Sequence, residues 1–514
     1  MPPAIGSKSQ VNIPTFSFAI STLDHVVRSI LKKIGAGMLY MPKKVIIAGF
    51  GDAGKLVFSE IGKDNRKEYV VLCFLDDDPA KLGQEHFGAK VLGRISDAPR
   101  LAKELGAGEI IIAIPSAKGS DIRRIIGECT VNGVSLKILP SLFEIIRGNV
   151  EINKIRPVKA DDLLGRKTAE FDIMEVEGIF RGKRVLVTGG AGSIGTELAK
   201  KLVQTNPAEL FLLDIDENGL YFNLVDLRRD NANVKVEVVV ANIREREKVF
   251  RIFNRLKPQI VFHAAASKQV PIVEQNVAEG VKNNILGTKN VVDAAIENSA
   301  ERFVFISTDK AVSPSSIMGS TKRVAEWICQ NAQPDSKGTK IFIARFGNVF
   351  GSKGSVIPLF MKQIEERREI TITDKKMTRY FMSIEEAVAL LLRVCSFQRG
   401  GTYFFDMGEQ IRIYDVGVEL IKMQGLKPGV DVKILETGLR PGEKISERLI
   451  TENESKSGTS VENIMEVIAG TNSWQEVKLE CNKIIERLEL EGEHVIAKEI
   501  RELAAPIYRK TNAI

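Results

Sequence analysis

Three consecutive side chains near the middle of the sequence can exchange protons or hydrogen-bond a hydroxyl group. They are the hydroxyl of Thr308, the carboxyl of Asp309 and the amine of Lys310, directly after the apolar run RFVFIS. Such groups are the usual general acids and bases of enzymes when they are held in place. Met318 and Lys322 follow four residues apart, a spacing that puts both on one face of a helix. The alternative is a weak surface ion pair between Asp309 and Lys310.

A glycine pattern earlier in the chain predicts where such chemistry takes place. The segment GKRVLVTGGAGSIGTELAKKL reads as a strand, a glycine turn containing Gly189, Gly192 and Gly195, and a helix. This spacing lets a pyrophosphate approach the N-terminus of the helix. Asp214 ends the next strand, LFLLDID, nineteen residues after Gly195. A carboxylate there accepts both adenosine ribose hydroxyls and repels a 2′-phosphate, so we expect NAD rather than NADP.

Further strands bring more residues to the same crevice. The runs KVEVVVANI, QIVFHAAAS and RFVFISTDK each follow a helical pattern, which predicts parallel strands of one sheet. Ligands of such sheets bind at the carboxyl ends of the strands. The residues expected to contact the cofactor are Gly189, Gly192, Ser193, Ile194, Gly195, Asp214, Asn242, Ile243, Ala264, Ala265, Ala266 and Lys322.

A shorter version of the pattern lies near the start of the chain. The segment KKVIIAGFGDAGKLVFSEI passes through Gly49, Gly51 and Gly54 into a helix, and the next strand, VVLCFLDDDP, reaches Asp76 near a ribose position. With the strands IIIAI and LKIL, these features predict a parallel α/β domain. A lone GxGxxG is a weak signal, so this domain either holds a nucleotide or serves as a docking or regulatory module.

The fold class is therefore α/β, with two Rossmann-like, doubly wound parallel-sheet domains and a smaller substrate-binding lobe on the second. A chain of 514 residues exceeds the size of a single hydrophobic core. The expected organisation is an N-terminal segment (1–43), a first Rossmann-like domain (44–145), a linker (146–182), a catalytic domain with its lobe (183–450) and a helical tail (451–514).

Composition narrows the function and the location. The net charge of +7 is small beside 73 basic and 66 acidic residues, so it suits an anionic substrate and does not argue for nucleic acid. Five cysteines without a C-x-x-C pair and four scattered histidines predict no metal site and a reducing, cytoplasmic location.

No apolar run is long enough to span a bilayer. Residues 23–34, LDHVVRSILKKI, place their apolar side chains on one helical face. We expect this helix to dock on its own protein, and the alternative is peripheral contact with an anionic membrane.

Eight motifs occur in a fixed order along the chain. They are TGGAGSIG, HAAASKQVP, VKNNILGTKNV, STDKAV, IMGSTKR, ARFGNVFGSKGSVIPLF, MTRYFMSIEEAV and LRPGEKISE. Together they resemble the nucleotide-sugar 4,6-dehydratases of the CapD-like polysaccharide-biosynthesis family, within the extended short-chain dehydrogenases/reductases. The resemblance covers residues 44–450 and implies a UDP-N-acetylglucosamine 4,6-dehydratase that serves surface glycan or protein glycosylation. It also implies a CoA-binding-like first domain, and we expect a homo-oligomer.

The sequence departs from the family pattern at several places. Large members begin with four membrane-spanning helices, so we expect this chain to be a soluble, peripheral or truncated form. Ser267 and Gln269 stand where Tyr and His are typical, which affects the sugar-facing wall. Asn242 replaces a more usual Asp and should still reach the adenine edge. Residues after about 450 match no family motif.

The resemblance implies a reaction that oxidises C4, removes the C5 proton, expels the C6 hydroxyl as water and returns the hydride to C6. In this scheme Thr308 hydrogen-bonds O4, Asp309 protonates the leaving hydroxyl and Lys310 takes the C5 proton. Short-chain dehydrogenases normally carry Tyr at the position of Met318, so Asp309 or a water that it orders must accept the O4 proton. Met318 then serves as an apolar wall, and Lys322 binds the nicotinamide ribose.

The remaining motifs imply a site for a UDP-sugar. Guanidinium and amide groups suit diphosphate oxygens, and Glu443 either orients Arg440 or contacts a ribose. The implied substrate-binding residues are Lys268, Asn283, Arg345, Asn348, Arg379, Arg440 and Glu443. Two alternatives remain: a UDP-sugar 4-epimerase, which would require Tyr at position 318, and a non-catalytic NAD-sensing protein.

Overall fold

The described part of the chain forms two parallel β-sheets that helices cover on both faces. The computed structural model describes residues 42–63, 68–117, 119–139, 155–158, 162, 172–230, 233–469, 483, 487 and 493–504. The helix predicted over residues 23–34 lies outside these residues. Within them, no helix is long and apolar enough to cross a membrane.

The first sheet arises from the apolar runs that the sequence places between residues 43 and 138. Its strands are β1 (Lys43–Ala48), β2 (Tyr69–Leu75), β3 (Glu85–His86), β4 (Ala89–Gly93), β5 (Glu109–Ile112), β6 (Ser135–Ile138) and β7 (Arg156–Pro157). Its helices are α1 (Asp52–Lys63), α2 (Ala98–Leu105) and α3 (Gly119–Cys129). The spatial order is β3-β4-β2-β1-β5-β6-β7, with a parallel centre and antiparallel β3 and β7. β7 lies within residues 146–182, where the sequence predicts a linker. The strand was not predicted because two residues at the edge of a sheet carry no apolar pattern.

Residues 172–504 supply a second sheet, a lobe and their helices. The strands are β8 (Arg184–Thr188), β9 (Glu209–Asp214), β10 (Lys235–Val240), β11 (Ile260–His263), β12 (Arg302–Ile306), β13 (Lys340–Arg345), β14 (Asn348–Val349), β15 (Ile370–Ile372), β16 (Thr378–Arg379), β17 (Phe381–Met382), β18 (Gly401–Phe405), β19 (Ile411–Arg412), β20 (Ile434–Glu436), β21 (Glu454–Gly458) and β22 (Ile464–Ala469). The helices are α4 (Met174–Phe180), α5 (Ser193–Val203), α6 (Glu217–Asp230), α7 (Arg246–Leu256), α8 (Val270–Gln275), α9 (Val277–Val281), α10 (Gly287–Glu297), α11 (Ile317–Ala332), α12 (Val356–Glu365), α13 (Ile384–Ser396), α14 (Ile413–Met423) and α15 (Glu493–Ala504).

The large sheet has the order β10-β9-β8-β11-β12-β13-β18-β22-β21. The strands from β10 to β18 are all parallel. Their order is doubly wound, because successive strands are added towards one edge of the sheet from β8 to β10 and towards the other edge from β11 onwards. The expected fold class of two Rossmann-like domains is confirmed. A lobe built from α12, α14 and three two-stranded sheets stands over the carboxyl ends of these strands.

The antiparallel strands β21 and β22 lie beyond residue 450, where the sequence predicts a helical tail. That prediction is wrong for residues 454–469, because Ile464 and Val467 turn into the core and pair with Phe405 and Thr402 of β18. The helical pattern holds for α15, which packs against α11.

The first domain and the lobe share one apolar core. Ile122 and Ile126 of α3 lie in the same buried cluster as Leu420 of α14. A Cβ on Gly127 of α3 would lie 3.1 Å from Oε2 of Glu419, so the two helices approach closely there. The lobe is therefore held between the first sheet and the second.

Candidate active site

The glycine turn between β8 and α5 is as tight as its spacing predicts. Gly189 has a φ of +73°, and a Cβ there would lie 2.6 Å from the backbone nitrogen of Ala265. A Cβ on Gly195 would lie 2.1 Å from the carbonyl oxygen of Gly189. Because only glycine fits at either position, the backbone stays open in front of the N-terminus of α5, where a phosphate is stabilised.

Asp214 ends β9 beside this turn. Its carboxylate accepts hydrogen bonds from the backbone N–H groups of Ala191 at 3.0 Å, Ile215 at 2.7 Å and Asp216 at 3.0 Å. These contacts fix the carboxylate next to the glycine turn, the position at which ribose hydroxyls are expected.

Asn242 and Ile243 follow β10 at the neighbouring strand end. Asn242 accepts a hydrogen bond from the backbone N–H of Arg244 at 3.0 Å. The Ile243 side chain is buried against Gly287 of α10.

A cavity of about 520 Å³ lies between the carboxyl ends of β8, β11 and β12 and the lobe. Its size is that of an ordinary ligand site. The expected site residues that line it are Gly189, Gly192, Ser193, Ile194, Gly195, Ala264, Ala266, Lys268, Thr308, Lys310, Met318, Lys322, Asn348, Arg379, Arg440 and Glu443. The expected site residues outside its lining are Asp214, Asn242, Ile243, Ala265, Asn283, Asp309 and Arg345.

Thr308, Asp309 and Lys310 form one hydrogen-bonded cluster at the end of β12. The Thr308 hydroxyl donates to Oδ1 of Asp309 at 2.9 Å, and Lys310 Nζ donates to the same oxygen at 3.0 Å. Lys310 also donates to Oδ1 of Asn348 at 3.1 Å. The Asp309 side chain is 0% exposed, so the alternative of a surface ion pair is wrong.

The buried position of Asp309 corrects one detail of the expected mechanism. Thr308 and Lys310 line the cavity, whereas Asp309 lies behind them. Its Oδ2 faces Gly347 and has no hydrogen-bond partner among the described residues. Direct protonation of a leaving hydroxyl by Asp309 does not fit this geometry, since Asp309 does not line the cavity and its Oδ1 is hydrogen-bonded to Thr308 and Lys310, which do.

Met318 and Lys322 line the cavity from the same face of α11. Lys322 Nζ donates to the carbonyl oxygen of Ile306 at 2.7 Å and lies 4.0 Å from the centre of the Phe305 ring. Burial lowers the pKa of Lys322 to about 8. Its amine is therefore held at the end of β12, where it lines the cavity.

His263 is a buried residue that the sequence interpretation treated only as a packing or surface histidine. Its ring contacts the Thr188 hydroxyl at 2.7 Å and the Thr288 hydroxyl at 3.0 Å. Burial, and then the charge of Lys322, lower its pKa to about 3. A neutral His263 thus connects β8, β11 and α10 directly behind the glycine turn.

The lining of the cavity carries a net positive charge among the described residues. Six cations and two carboxylates line the whole cavity: Lys268, Lys310, Lys322, Arg379, Arg440 and Lys444 against Glu443 and Glu447. Burial lowers the pKa of Lys268. This balance favours an anionic ligand such as a diphosphate.

Several contacts fix the loop around Arg440. The Arg379 guanidinium donates to the carbonyl oxygens of Lys444 at 2.8 Å and Ile445 at 3.1 Å, so it supports the loop from behind. Glu443 accepts a hydrogen bond from the backbone N–H of Arg440 at 3.2 Å, which favours an orienting role for Glu443. Lys444, which sequence reasoning missed, donates to Glu447 at 3.0 Å; its position inside LRPGEKISE was the available signal.

The expectation that Arg345 binds substrate is wrong. Its side chain is 0% exposed, and its nitrogens donate to both oxygens of Glu326 at 2.8 and 2.7 Å and to both oxygens of Glu454 at 2.9 Å. Glu326 also accepts from the Ser307 hydroxyl at 2.6 Å. Arg345 therefore joins β13, α11 and β21 beneath the cavity.

Asn283 also lies outside the lining and supports it indirectly. Its amide donates to the Ser267 hydroxyl at 3.2 Å. Asn284, which sequence reasoning missed, accepts from the backbone N–H of Ser267 at 2.8 Å and donates to the Thr321 hydroxyl at 3.0 Å. Both lie in the π-helical turn Lys282–Leu286, a feature frequent near functional sites.

The first domain has a similar glycine turn with a different environment. Gly49 has a φ of +112°, and a Cβ on Gly54 would lie 1.9 Å from the carbonyl oxygen of Gly49. Asp76, at the position expected near a ribose, accepts from the backbone N–H of Phe50 at 2.8 Å and pairs with Lys81 at 3.0 Å. Among the described residues, no lysine pairs with Asp214, the acid at the second glycine turn.

A doubly wound sheet with this glycine turn, an acid at the end of the second strand and a proton-exchanging cluster at the end of the fifth defines an extended short-chain dehydrogenase/reductase. Family models refine this class: one described as polysaccharide biosynthesis protein matches residues 185–469, and one described as CoA-binding domain matches residues 7–140. The first match spans more than half of the chain. The chain belongs to the polysaccharide biosynthesis protein family.

Relatives of known name agree with this assignment. The chain is 41% identical to the probable polysaccharide biosynthesis protein EpsC of Bacillus subtilis, over 80% of this chain and 69% of EpsC. It is 32% identical to a UDP-N-acetylglucosamine 4,6-dehydratase (inverting) of Campylobacter jejuni, over 55% of this chain and 82% of the relative. It is 33% identical to a UDP-glucose 4-epimerase of Rickettsia canadensis, over 54% and 80%. The X-ray structure of Pen from Bacillus thuringiensis matches with a TM-score of 0.52 and 32% identity, over 60% of this chain and 98% of Pen.

Proposed function

We propose that this protein is a NAD-dependent nucleotide-sugar 4,6-dehydratase that acts on UDP-N-acetylglucosamine. The observation that carries the proposal is the cluster of Thr308, Asp309 and Lys310 beside a cavity whose lining carries a net positive charge. A dehydratase needs a proton acceptor for O4, a base for C5 and an acid for O6 beside the cofactor. The C. jejuni relative supports the choice of substrate.

NAD fits the residues at the glycine turn. Gly189 and Gly195 leave the backbone open for a pyrophosphate, and Asp214 presents a carboxylate that accepts ribose hydroxyls and repels a 2′-phosphate. Lys322 would hold the nicotinamide ribose. When bound, NAD supplies the hydride acceptor at C4 and the hydride donor at C6.

The cluster can move the protons of this reaction in balance. The Thr308 hydroxyl receives the O4 proton and passes its own to Asp309, 2.9 Å away. Lys310 takes the C5 proton, and the C6–O bond breaks as the proton stored on Asp309 returns through the Thr308 hydroxyl to the leaving hydroxyl and gives water. Lys310 then returns a proton to C5. Met318, which cannot exchange protons, serves as an apolar wall.

The substrate's diphosphate suits the net positive charge of the cavity lining. Arg440 and Lys268 both line the cavity, and Arg379 fixes the loop that carries Arg440. A UDP-sugar 4-epimerase would use the same contacts. Its usual tyrosine is replaced by Met318, and a reaction without elimination has no use for the Asp309–Lys310 pair, so the dehydratase is favoured.

The test is to incubate the purified protein with UDP-N-acetylglucosamine and NAD in deuterated water and to follow the product by NMR. We expect a 4-keto-6-deoxy sugar nucleotide with deuterium at C5, because the proton on Lys310 exchanges with solvent. Formation of UDP-N-acetylgalactosamine would identify an epimerase instead. Cofactor binding without any turnover would identify a sensing protein.

Variants of the cluster separate its roles. Lys310→Met and Asp309→Asn should each lower the rate at least about a hundredfold while NAD stays bound, since each removes a positioned proton-transfer group. Met318→Ala is the matched control from the same cavity wall and should cost much less. Full activity in Lys310→Met would contradict the proposed mechanism.

A further inference from the structure

Glu274, on α8, contacts the start of the helix that carries Met318. Its carboxylate is 12% exposed and accepts a hydrogen bond from the backbone N–H of Ile317 at 2.6 Å. Ile317 is the first residue of α11, where N–H groups have no partner within the helix and the helix dipole stabilises a negative charge. Glu274 therefore fixes the turn that brings Met318 to the cavity wall.

The second carboxylate oxygen of Glu274 forms an ion pair with an arginine near the C-terminal end of the chain. Arg501, on α15, donates to Oε2 at 2.6 Å. Ile496 and Ile500 of the same helix are buried in the apolar cluster that contains Met318. The helix α15 thus contacts Glu274 through an ion pair and packs its apolar face against the cluster that contains Met318.

The loop that carries Arg440 meets the same point. The Ser315 hydroxyl donates to the carbonyl oxygen of Gly442 at 2.9 Å. A Cβ on Gly442 would lie 3.0 Å from Oε1 of Glu274 and 2.7 Å from the Cβ of Ser316. The loop and the start of α11 are therefore packed together against the Glu274 carboxylate, and a displacement of this carboxylate moves both.

We propose that Glu274 is a positioning residue for the nucleotide-sugar and that α15 acts through it, by way of Arg501, to hold Met318 and the Arg440 loop in place. This inference rests on the proposed function. Neither Glu274 nor Arg501 lines the cavity, so their effect is indirect. Within the described part of the chain, no hydrogen bond or ion pair joins Glu274 or Arg501 to the glycine turn, so the affinity for NAD should not depend on them.

The test compares Arg501→Met and Glu274→Gln with wild type. Each should lower kcat/KM for UDP-N-acetylglucosamine by roughly fivefold, the effect of one partly exposed ion pair, with unchanged affinity for NAD. Arg501→Lys keeps the charge and should restore most of the loss. The double variant should be no worse than the poorer single variant, because both remove the same contact. Lys498→Met is the matched control, since Lys498 lies on α15 and pairs only loosely with Glu502 at 3.8 Å.

Wild-type kcat/KM in Arg501→Met, or an equal loss in Lys498→Met, overturns the inference. An equal fall in NAD affinity in Glu274→Gln also overturns it, because the role would then be general stability. If wild type forms no product from UDP-N-acetylglucosamine, the proposed function fails separately. Calorimetric titration with UDP then decides the positioning role: weaker binding by Arg501→Met supports it, and equal binding overturns it.

Discussion

Replacing Glu454 by Gln tests how strongly buried charge holds β21 on the large sheet. The Glu454 side chain is 6% exposed and accepts from two nitrogens of Arg345 at 2.9 Å and from Arg323 at 3.2 Å. Burial alone would raise the pKa of Glu454, but Arg345 and Arg323 lower it from 4.5 to about 2. That difference corresponds to roughly 3 kcal/mol in favour of the charged form in the folded protein. We expect Glu454→Gln to lower the free energy of unfolding by about 3 kcal/mol at pH 7.

The pH dependence of this loss has a definite sign. A carboxyl whose pKa is lowered on folding stabilises the protein above its unfolded pKa, here 4.5, and the stabilisation disappears as the pH falls through about 2. The difference between wild type and Glu454→Gln should therefore be constant from pH 7 to about 5 and fall to roughly half near pH 3.

Urea unfolding followed by tryptophan fluorescence measures this difference, since Trp327 is buried on α11 beside Arg323. Glu466→Gln is the matched control. Glu466 lies on the adjacent strand β22 and pairs with Arg399 at 2.6 Å at the surface, so its loss should have a much smaller effect. Equal losses in the two variants, or a difference for Glu454→Gln that does not change with pH, would refute the reasoning.

Three further variants test the cofactor side of the cavity. Asp214→Ala should weaken NAD binding at least about tenfold, because a charged acceptor of ribose hydroxyls is lost; unchanged affinity in titration calorimetry would contradict this role. Gly195→Ala should abolish NAD binding with little loss of helix content by circular dichroism, since its Cβ would lie 2.1 Å from the Gly189 carbonyl oxygen; wild-type binding would show that the turn adapts. Burial lowers the pKa of Lys322 from 10.5 to about 8, so between these values the unfolded chain binds more protons than the folded one. Relative to Lys322→Met, the free energy of unfolding of wild type should rise by up to about 3 kcal/mol from pH 8 to 10.5 in urea titrations, and a constant difference would argue against a buried amine.

The sequence was sufficient to predict the parts of the site that depend on local rules. The glycine turn, Asp214 at the end of β9 and the cluster at Thr308 follow from strand–turn–helix patterns, because parallel strands present their carboxyl ends at one edge. Met318 and Lys322 share a face of α11 because of helical spacing. Both kinds of prediction depend only on residues that are close together in the sequence.

Most of the wrong predictions concern residues whose contact partners are distant in the sequence. Arg345 lies within a family motif, yet its direction is decided by Glu326 and by Glu454, which is 109 residues away. The strand β21 carries mainly polar residues, so no apolar pattern reveals it before β22 supplies a neighbour to pair with. Asp309 was expected in the cavity because sequence order gives no information on which of three adjacent side chains turns inward.

The contact between α3 and α14 affects how this chain can be divided. Each glycine turn belongs to its own sheet, which suggests two modules that could be produced separately. The apolar side chains of α3 and α14 belong to a single cluster, however, and a cut between the sheets would expose part of this cluster to water. Exposed apolar faces promote association with other molecules. A recombinant fragment that begins at residue 172 should therefore aggregate unless the exposed face of α14 is redesigned with polar side chains, and the useful unit for crystallisation or engineering is both sheets together.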